Sequence, residues 1–395
     1  MYCNMNWNHG QNLRKWTMNP LLFCVSAVRA LGLVVMVGGI LSACGGGGSS
    51  VPNGGKVAGP QFVYVANRGS NNVSAYSIAA NGALTPVPGS PFAAGFGPTS
   101  VTVNPAGTFA YVANRGSNNV SAYSIAANGA LTPVPGSPFA SSGNFPTSVT
   151  VNPAGTFAYV SNEGNIIISP KNNVSAYSIG ANGALTPVAG SPFAAGGYPT
   201  SVSINPAGTF AYVSNSGSNN VSAYSIAANG ALTPVAGSPF AAGLGSLSVT
   251  VNPTGTFAYV ADRDSNNVSA YSIGANGALT PVAGSPFAAG GYPTSVSINP
   301  AGTFAYVSNS GSNNVSAYSI GANGALTPVP GSPFAAGTGP TSVTVNPAGT
   351  FAYVANNGSN NISAYSIGAN GALTPVAVSP FVAGNLPTSV VVAQP

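Results

Sequence analysis

Very few side chains in this chain could do acid–base chemistry. There are three carboxylates, Glu163, Asp262 and Asp264, and one imidazole, His9. Hydrolysis of an ester or lactone needs a general base or a metal to activate water, and a donor to stabilise the oxyanion. The base would have to be one of the three carboxylates. Asp262-Arg263-Asp264-Ser265-Asn266 has the D-x-D-x-N spacing of a calcium loop. The match stops there, because Asn267 stands where such a loop needs Gly and Ile273 where it needs a bidentate Glu. The segment therefore reads as a polar turn. A phosphorylated substrate would need clustered cations, whereas Arg68, Arg115, Lys171 and Arg263 are dispersed along the chain. These residues by themselves assign no catalytic group, no metal and no cofactor.

The elements that would position them must come from an almost uncharged chain. Of 395 residues, 8 are Lys or Arg and 3 are Asp or Glu. Arg14, Lys15 and Arg29 precede residue 44. Beyond it, Lys56, Arg68, Arg115, Lys171 and Arg263 face the three acids, a net of +2. That is too little for nucleic-acid binding by counterion release. No run of 18 apolar residues follows residue 50, so a polytopic helical membrane protein is excluded. The 17 Tyr and 17 Phe argue against disorder, and 52 Gly with 34 Pro suit a turn-rich all-β protein.

Residues 1–43 read as an export signal. Arg14 and Lys15 form a basic region, and Ala30 to Leu41 an uncharged, mostly apolar stretch too short to span a bilayer. Leu41-Ser42-Ala43-Cys44 follows, then Gly45 to Gly48 and two serines. This resembles the lipobox of bacterial lipoproteins, which implies acylation of Cys44 and anchoring to a membrane of the cell envelope. Arg29 interrupts the apolar stretch, so Met18 is an alternative start. Residues 44–60 are then a tether and 61–395 the folded domain. No cysteine follows Cys44, so packing alone must hold that domain.

The domain is a tandem repeat. A Tyr-Val pair recurs at Tyr64, Tyr111, Tyr159, Tyr212, Tyr259, Tyr306 and Tyr353, at intervals of 47, 48, 53, 47, 47 and 47. Each unit predicts four short strands, here Ser100–Val103 (A), Thr108–Ala113 (B), Val120–Ile125 (C) and Leu131–Val134 (D). Strand B is apolar on both faces, with Phe109 and Tyr111 on one and Ala110 and Val112 on the other, so it must be covered on both sides. A ring of radial four-stranded sheets does this. The first unit begins at Gln61-Phe62-Val63-Tyr64, a B strand, and the chain finishes with Ser389-Val390-Val391-Val392, an A strand. Pairing these closes a seven-bladed β-propeller without an open end. At a radius of about 10 Å, two-sevenths of a turn then separates Glu163 from the aspartates by roughly 15 Å, beyond the about 5–9.5 Å of a working carboxylate pair.

Phe109-Ala110-Tyr111-Val112-Ala113-Asn114, followed by Val120-Ser121-Ala122-Tyr123-Ser124-Ile125 and Asn128-Gly129-Ala130-Leu131-Thr132, resembles the YVTN-type repeat of the seven-bladed lactonase family. That family includes 6-phosphogluconolactonase-like enzymes. The resemblance covers roughly residues 61–393. Family members that act on lactones use His, Glu and Arg as acid, base and anion clamp. This domain has one Glu and no His.

Comparing the units with each other locates their differences. Successive turns of a meander alternate ends, so the B–C and D–A connections share one face. That face holds the variable D–A tips, Tyr198 and Tyr292 among them, and the charges Arg68, Arg115, Glu163, Lys171, Asp262, Arg263 and Asp264. Unit three inserts residues around Ile166-Ile167-Ile168 there. These residues form the expected binding face. Asn-Val-Ser recurs at Asn72 and its equivalents, read as turn residues that tolerate positive φ. The Gly-Ser-Pro-Phe segments are read as anchors of the D–A connection. The expected role is a non-catalytic, lipid-anchored binding or scaffold module, with an envelope protein or a carbohydrate as partner. A lactonase-like hydrolase is the alternative, and a structural surface protein a third.

Overall fold

The computed structural model describes residues 59–164 and 172–394. They form seven sheets of identical topology and no helix. Blade 2 is representative: A is Pro98–Val103, B is Phe109–Asn114, C is Asn119–Ile125 and D is Leu131–Pro133. Blade 1 takes its A strand from the other end of the chain. Pro387–Ala393 lies antiparallel to Phe62–Asn67, pairing Val63 with Val392 and Val65 with Val390. The ring closes as the repeat offset predicts.

The outer edge differs from expectation. D is followed by a two-residue strand, Phe139–Ala140, which pairs with the start of C, whereas Leu131–Pro133 pairs with its end. The Gly-Ser-Pro-Phe segment thus interrupts an outer strand and ties the D–A connection to strand C, through Ser137 and Phe139. The break is chemically closed: Val134 N–H donates to Ala122 O, and Ala122 N–H donates to Ser137 Oγ at 2.9 Å. A short, broken edge strand is a poor template for pairing with another chain.

The core lies between blades, not within them. Tyr111, Ala113, Val120 and Val134 of blade 2 pack on Val149, Ala158, Val160, Tyr177 and Leu185 of blade 3, and the same cluster recurs at all seven junctions. The opposite face of strand B, Ala110 and Val112, packs on blade 1. Tyrosines latch each junction in both directions. Tyr111 Oη donates to Gly183 O in blade 3 at 3.0 Å, and Tyr123 Oη to Ala93 O in blade 1 at 2.6 Å. The same bonds seal the last blade to the first, through Tyr353 to Gly82 and Tyr76 to Val382. Burial raises the pKa of these phenols, so they stay neutral donors. Gly183 has φ +81 and lies against the Phe109 ring where a Cβ would be, so a side chain fits neither the backbone nor the space.

Candidate functional site

The A strands surround an axial cavity of about 550 Å³. Its lining is Ser, Thr, Val, Ile, Pro and Asn, with no charged side chain. Each A strand has an unpaired inner edge, and the lining hydroxyls serve it. Ser100 Oγ accepts from Val149 N–H of the next blade at 3.3 Å, and Thr150 Oγ1 donates to Val202 O at 2.7 Å. The Ser-Val-Thr-Val pattern therefore satisfies backbone groups that would otherwise be orphaned, and the cavity holds hydroxyls without a base to activate them.

Chemistry is concentrated on the B–C/D–A face. There the turns and tips are bonded into one rim. Within blade 2, Arg115 N–H and Gly116 N–H donate to Gly97 O and Phe96 O. Between blades, Asn118 Oδ1 accepts Phe145 N–H at 2.8 Å, and Asn71, Asn219, Asn266, Asn313 and Asn360 clasp the next tip alike. These clasping residues carry the positive φ, near 54°. In six blades the left-handed residue is thus the one before the Asn-Val-Ser or Asn-Ile-Ser triplet, not its Asn. The latter lies in strand C, where Asn119 Oδ1 accepts from Asn114 Nδ2 at 2.8 Å.

The structure joins two of the predicted residues across a blade junction. Arg115 Nε and Nη2 both donate to Glu163 Oε2, at 3.0 and 2.7 Å. The guanidinium lies 4.8 Å from the ring centre of Phe145. Both charged side chains are about one-third to one-quarter exposed, at 33% and 26%. Arg263 pairs instead with its neighbour Asp264, Nε to Oδ1 at 2.8 Å, and this bond holds the Asp264 carboxyl below its ordinary pKa. Arg68 and Tyr292 are exposed, and Tyr198 is half-buried. Lys171, with Cys44 and the leader, lies outside the described residues.

Asp262 is a correction. It was placed on the binding face by its turn, but it is fully buried at the end of strand B. In the other six blades that position is an Asn whose Nδ2 bonds the Asn and Ser of strand C. Asp262 accepts from Ser269 Oγ at 2.6 Å and from Ser246 Oγ at 2.8 Å, Ser246 replacing the Pro found in the other blades. Burial raises its pKa, an effect these bonds partly offset. Asp262 and Asp264 thus point to different partners, and no calcium loop forms.

Phe96 and Phe145 belong to the variable D–A tips of the expected binding face but were not singled out as site residues. The signal lay in comparing blades pairwise. The residue after strand B is Arg68, Arg115, Glu163, Ser216, Arg263, Ser310 or Asn357. The residue just before strand A of the next blade is Gly97, Phe145, Tyr198, Gly245, Tyr292, Gly339 or Leu386, respectively. Arg115 and Arg263 are matched there with Phe145 and Tyr292, and no Ser or Asn is matched with an aromatic. Arg115 sits over Phe145, and Tyr292 is within electrostatic range of Arg263. The charged and aromatic residues are densest in one sector, from Arg68 in blade 1 to Tyr198 in blade 4.

The sequence matches the lactonase seven-bladed β-propeller family over residues 60–243 and 238–332. The chain belongs to that family. This lactonase-family propeller is similar in fold to a candidate 6-phosphogluconolactonase of Bacteroides fragilis, with TM-score 0.74, 20% identity, and coverage of 86% of this chain and 100% of that one. It is similar also to the periplasmic gluconolactonase of Pseudomonas aeruginosa, with TM-score 0.71, 19% identity, and coverage of 85% and 100%. Hydrazine synthase of Kuenenia stuttgartiensis shares the fold at TM-score 0.60 and 21% identity, over 78% and 92%. No curated protein matches the sequence. Likenesses at this level carry the fold, and the lactonase-family propeller must be assigned a chemistry from its own rim.

Proposed function

We propose that this lactonase-family propeller opens small cyclic esters, with Glu163 as general base, thereby exchanging the expected scaffold role for its alternative. The observation that carries the reading is the Arg115–Glu163 pair, built across two blades of a lactonase-family fold on its variable face. Two solved neighbours are named as a 6-phosphogluconolactonase candidate and a gluconolactonase. Glu163 takes the proton of a water as its oxygen attacks the lactone carbonyl carbon. The ring C–O bond then breaks, and the ring oxygen receives that proton to give a hydroxy acid. Arg115 has five N–H donors, and two go to Glu163. The others are available to the developing oxyanion. Phe145 sets the plane of the guanidinium. We propose further that the enzyme works in the cell envelope, tethered through acylated Cys44.

The test is turnover of glucono-δ-lactone followed by acid release at constant pH. Parent protein should exceed buffer, and Glu163→Gln should lower kcat/KM by about 10²- to 10⁴-fold. Parent turnover equal to buffer would overturn the reading. A binding or scaffold module would then be the better account, favoured by the exposed apolar tips Phe96, Leu244, Tyr292 and Leu386 on one face.

A further inference from the structure

The Arg115–Glu163 pair is held by more than its own hydrogen bonds. Each residue directly follows the B strand of its blade, and Phe145 bridges the two turns. On one side Asn118, in the same turn as Arg115, accepts Phe145 N–H at Oδ1, 2.8 Å away. On the other, Phe145 O accepts Glu163 N–H at 3.1 Å. The Phe145 ring meets the Arg115 guanidinium at 4.8 Å. The contacts close a circuit from the Arg115 turn through Asn118, Phe145 and Glu163 and back across the ion pair. Phe145 takes φ 56, a left-handed backbone that costs a residue with a Cβ, whereas the equivalent residue is Gly97, Gly245 or Gly339 in three other blades. Asn118 has φ 53, which Asn adopts readily.

We propose, resting on the hydrolytic reading of that pair, that Asn118 is a positioning residue for it, acting through the Phe145 tip. Arg and Glu lose several torsions to one geometry, and a partly exposed ion pair offsets little of that entropy. Such a pair keeps a single arrangement only if the backbone points it springs from are fixed relative to each other. Here those points lie in different blades, and the Asn118–Phe145–Glu163 bonds run between them. The same clasp joins other blades, as where Asn219 Oδ1 accepts Gly245 N–H at 2.8 Å, so clasping alone is part of the scaffold. Two features are particular to this junction. The clasped residue sets an aromatic ring against a guanidinium, and among the described residues no other junction is bridged by an ion pair. Moving a positioned group by about 1 Å can cost a hundredfold in rate, which makes the clasp matter here and not at Asn219.

The test compares full-length parent, Asn118→Gly, Asn118→Asp and Asn219→Gly. Glycine keeps the left-handed backbone and deletes the acceptor, whereas aspartate keeps both. The first readout is the Arg115 Nε–H signal in a proton–nitrogen correlation spectrum, assigned by its loss in Arg115→Lys. In the parent this proton is bonded to Glu163 and should exchange slowly with water. Exchange should be about tenfold faster in Asn118→Gly and unchanged in Asn118→Asp and Asn219→Gly. The second readout is glucono-δ-lactone hydrolysis. Asn118→Gly should lower kcat by about ten- to a hundredfold and leave KM within about twofold, because the loss falls on the transition state. Asn118→Asp should recover most of that kcat. Asn219→Gly should keep all of it, although the two glycine variants melt alike. An unchanged Arg115 exchange rate or an unchanged kcat in Asn118→Gly, or an equal kcat loss in Asn219→Gly, would overturn the proposal. Parent protein without turnover would remove the hydrolytic reading, and the exchange rates alone would then decide whether Asn118 positions the pair.

Discussion

Asp262 shows how one atom of difference acts inside a repeated environment. The other blades place an amide NH₂ where it offers a hindered carboxyl, and the Asn267 Oδ1 opposite is left without a donor. Because burial raises its pKa, the folded chain holds the proton more tightly than the unfolded chain. Below the ordinary carboxylate range both states are protonated, and nothing is lost. As pH rises through that range towards the raised native value, the unfolded chain ionises first and stability falls. Asp262→Asn removes the titration and restores the donor to Asn267, which alone is worth about 1 kcal/mol. Denaturant titration should show the variant ahead by about 1 kcal/mol at about pH 4, from the restored donor, with the gap widening towards about pH 8 as the carboxyl term adds to it. A gap independent of pH would show that the carboxyl is not responsible.

Individual elements carry the strain of divergence between repeats. Six outer-strand breaks use Gly at the left-handed position, for example Gly89 with φ 85 and Gly331 with φ 85. Blade 7 has Val378 there, with φ 61 and 80% exposed. A left-handed conformation costs an L-residue about 1–2 kcal/mol, partly offset because Gly frees the unfolded chain by about 0.4–1 kcal/mol. Val378→Gly should therefore stabilise the protein by roughly 0.5–1 kcal/mol in denaturant titration, and a loss of stability would refute the strain. Gly183→Ala is the converse case. It meets both the positive φ and the Phe109 ring, and should cost about 1–3 kcal/mol in the same titration.

At the scale of the whole molecule, closure is the structural event on which the rim depends. Residues 387–393 cover strand B of blade 1, and Thr388 Oγ1 reaches Ala66 O and Pro98 O at 3.2 and 3.1 Å. Truncation after residue 386 should expose the paired edge of Phe62–Asn67 and both flanking clusters. The expected outcome is self-association in size-exclusion chromatography and a lower, broader thermal transition. A sharp parental transition would mean that closure contributes little. The proposed anchor is separable from this: Cys44→Ser should move the protein from membranes to the soluble fraction without changing its melting.

The fold was legible because its determinants are periodic. The interval of the Tyr-Val pair, the two-faced apolar pattern of Phe109 to Val112, and a B strand at one end with an A strand at the other lead to a closed ring by local rules alone. What escaped was set by neighbours distant in the chain. Nothing local distinguishes a buried Asp262 from an exposed one, because its environment is made by Ser246 and Ser269. Nothing local places Arg115 on Phe145 and Glu163, which come from the next blade, some 30 and 48 positions on. A repeating pattern of apolar side chains specifies sheets and their stacking, since burial acts on every unit alike. Which charges meet depends on the angular order of blades around the axis, and electrostatic contacts a few ångströms long exist only once that order is complete.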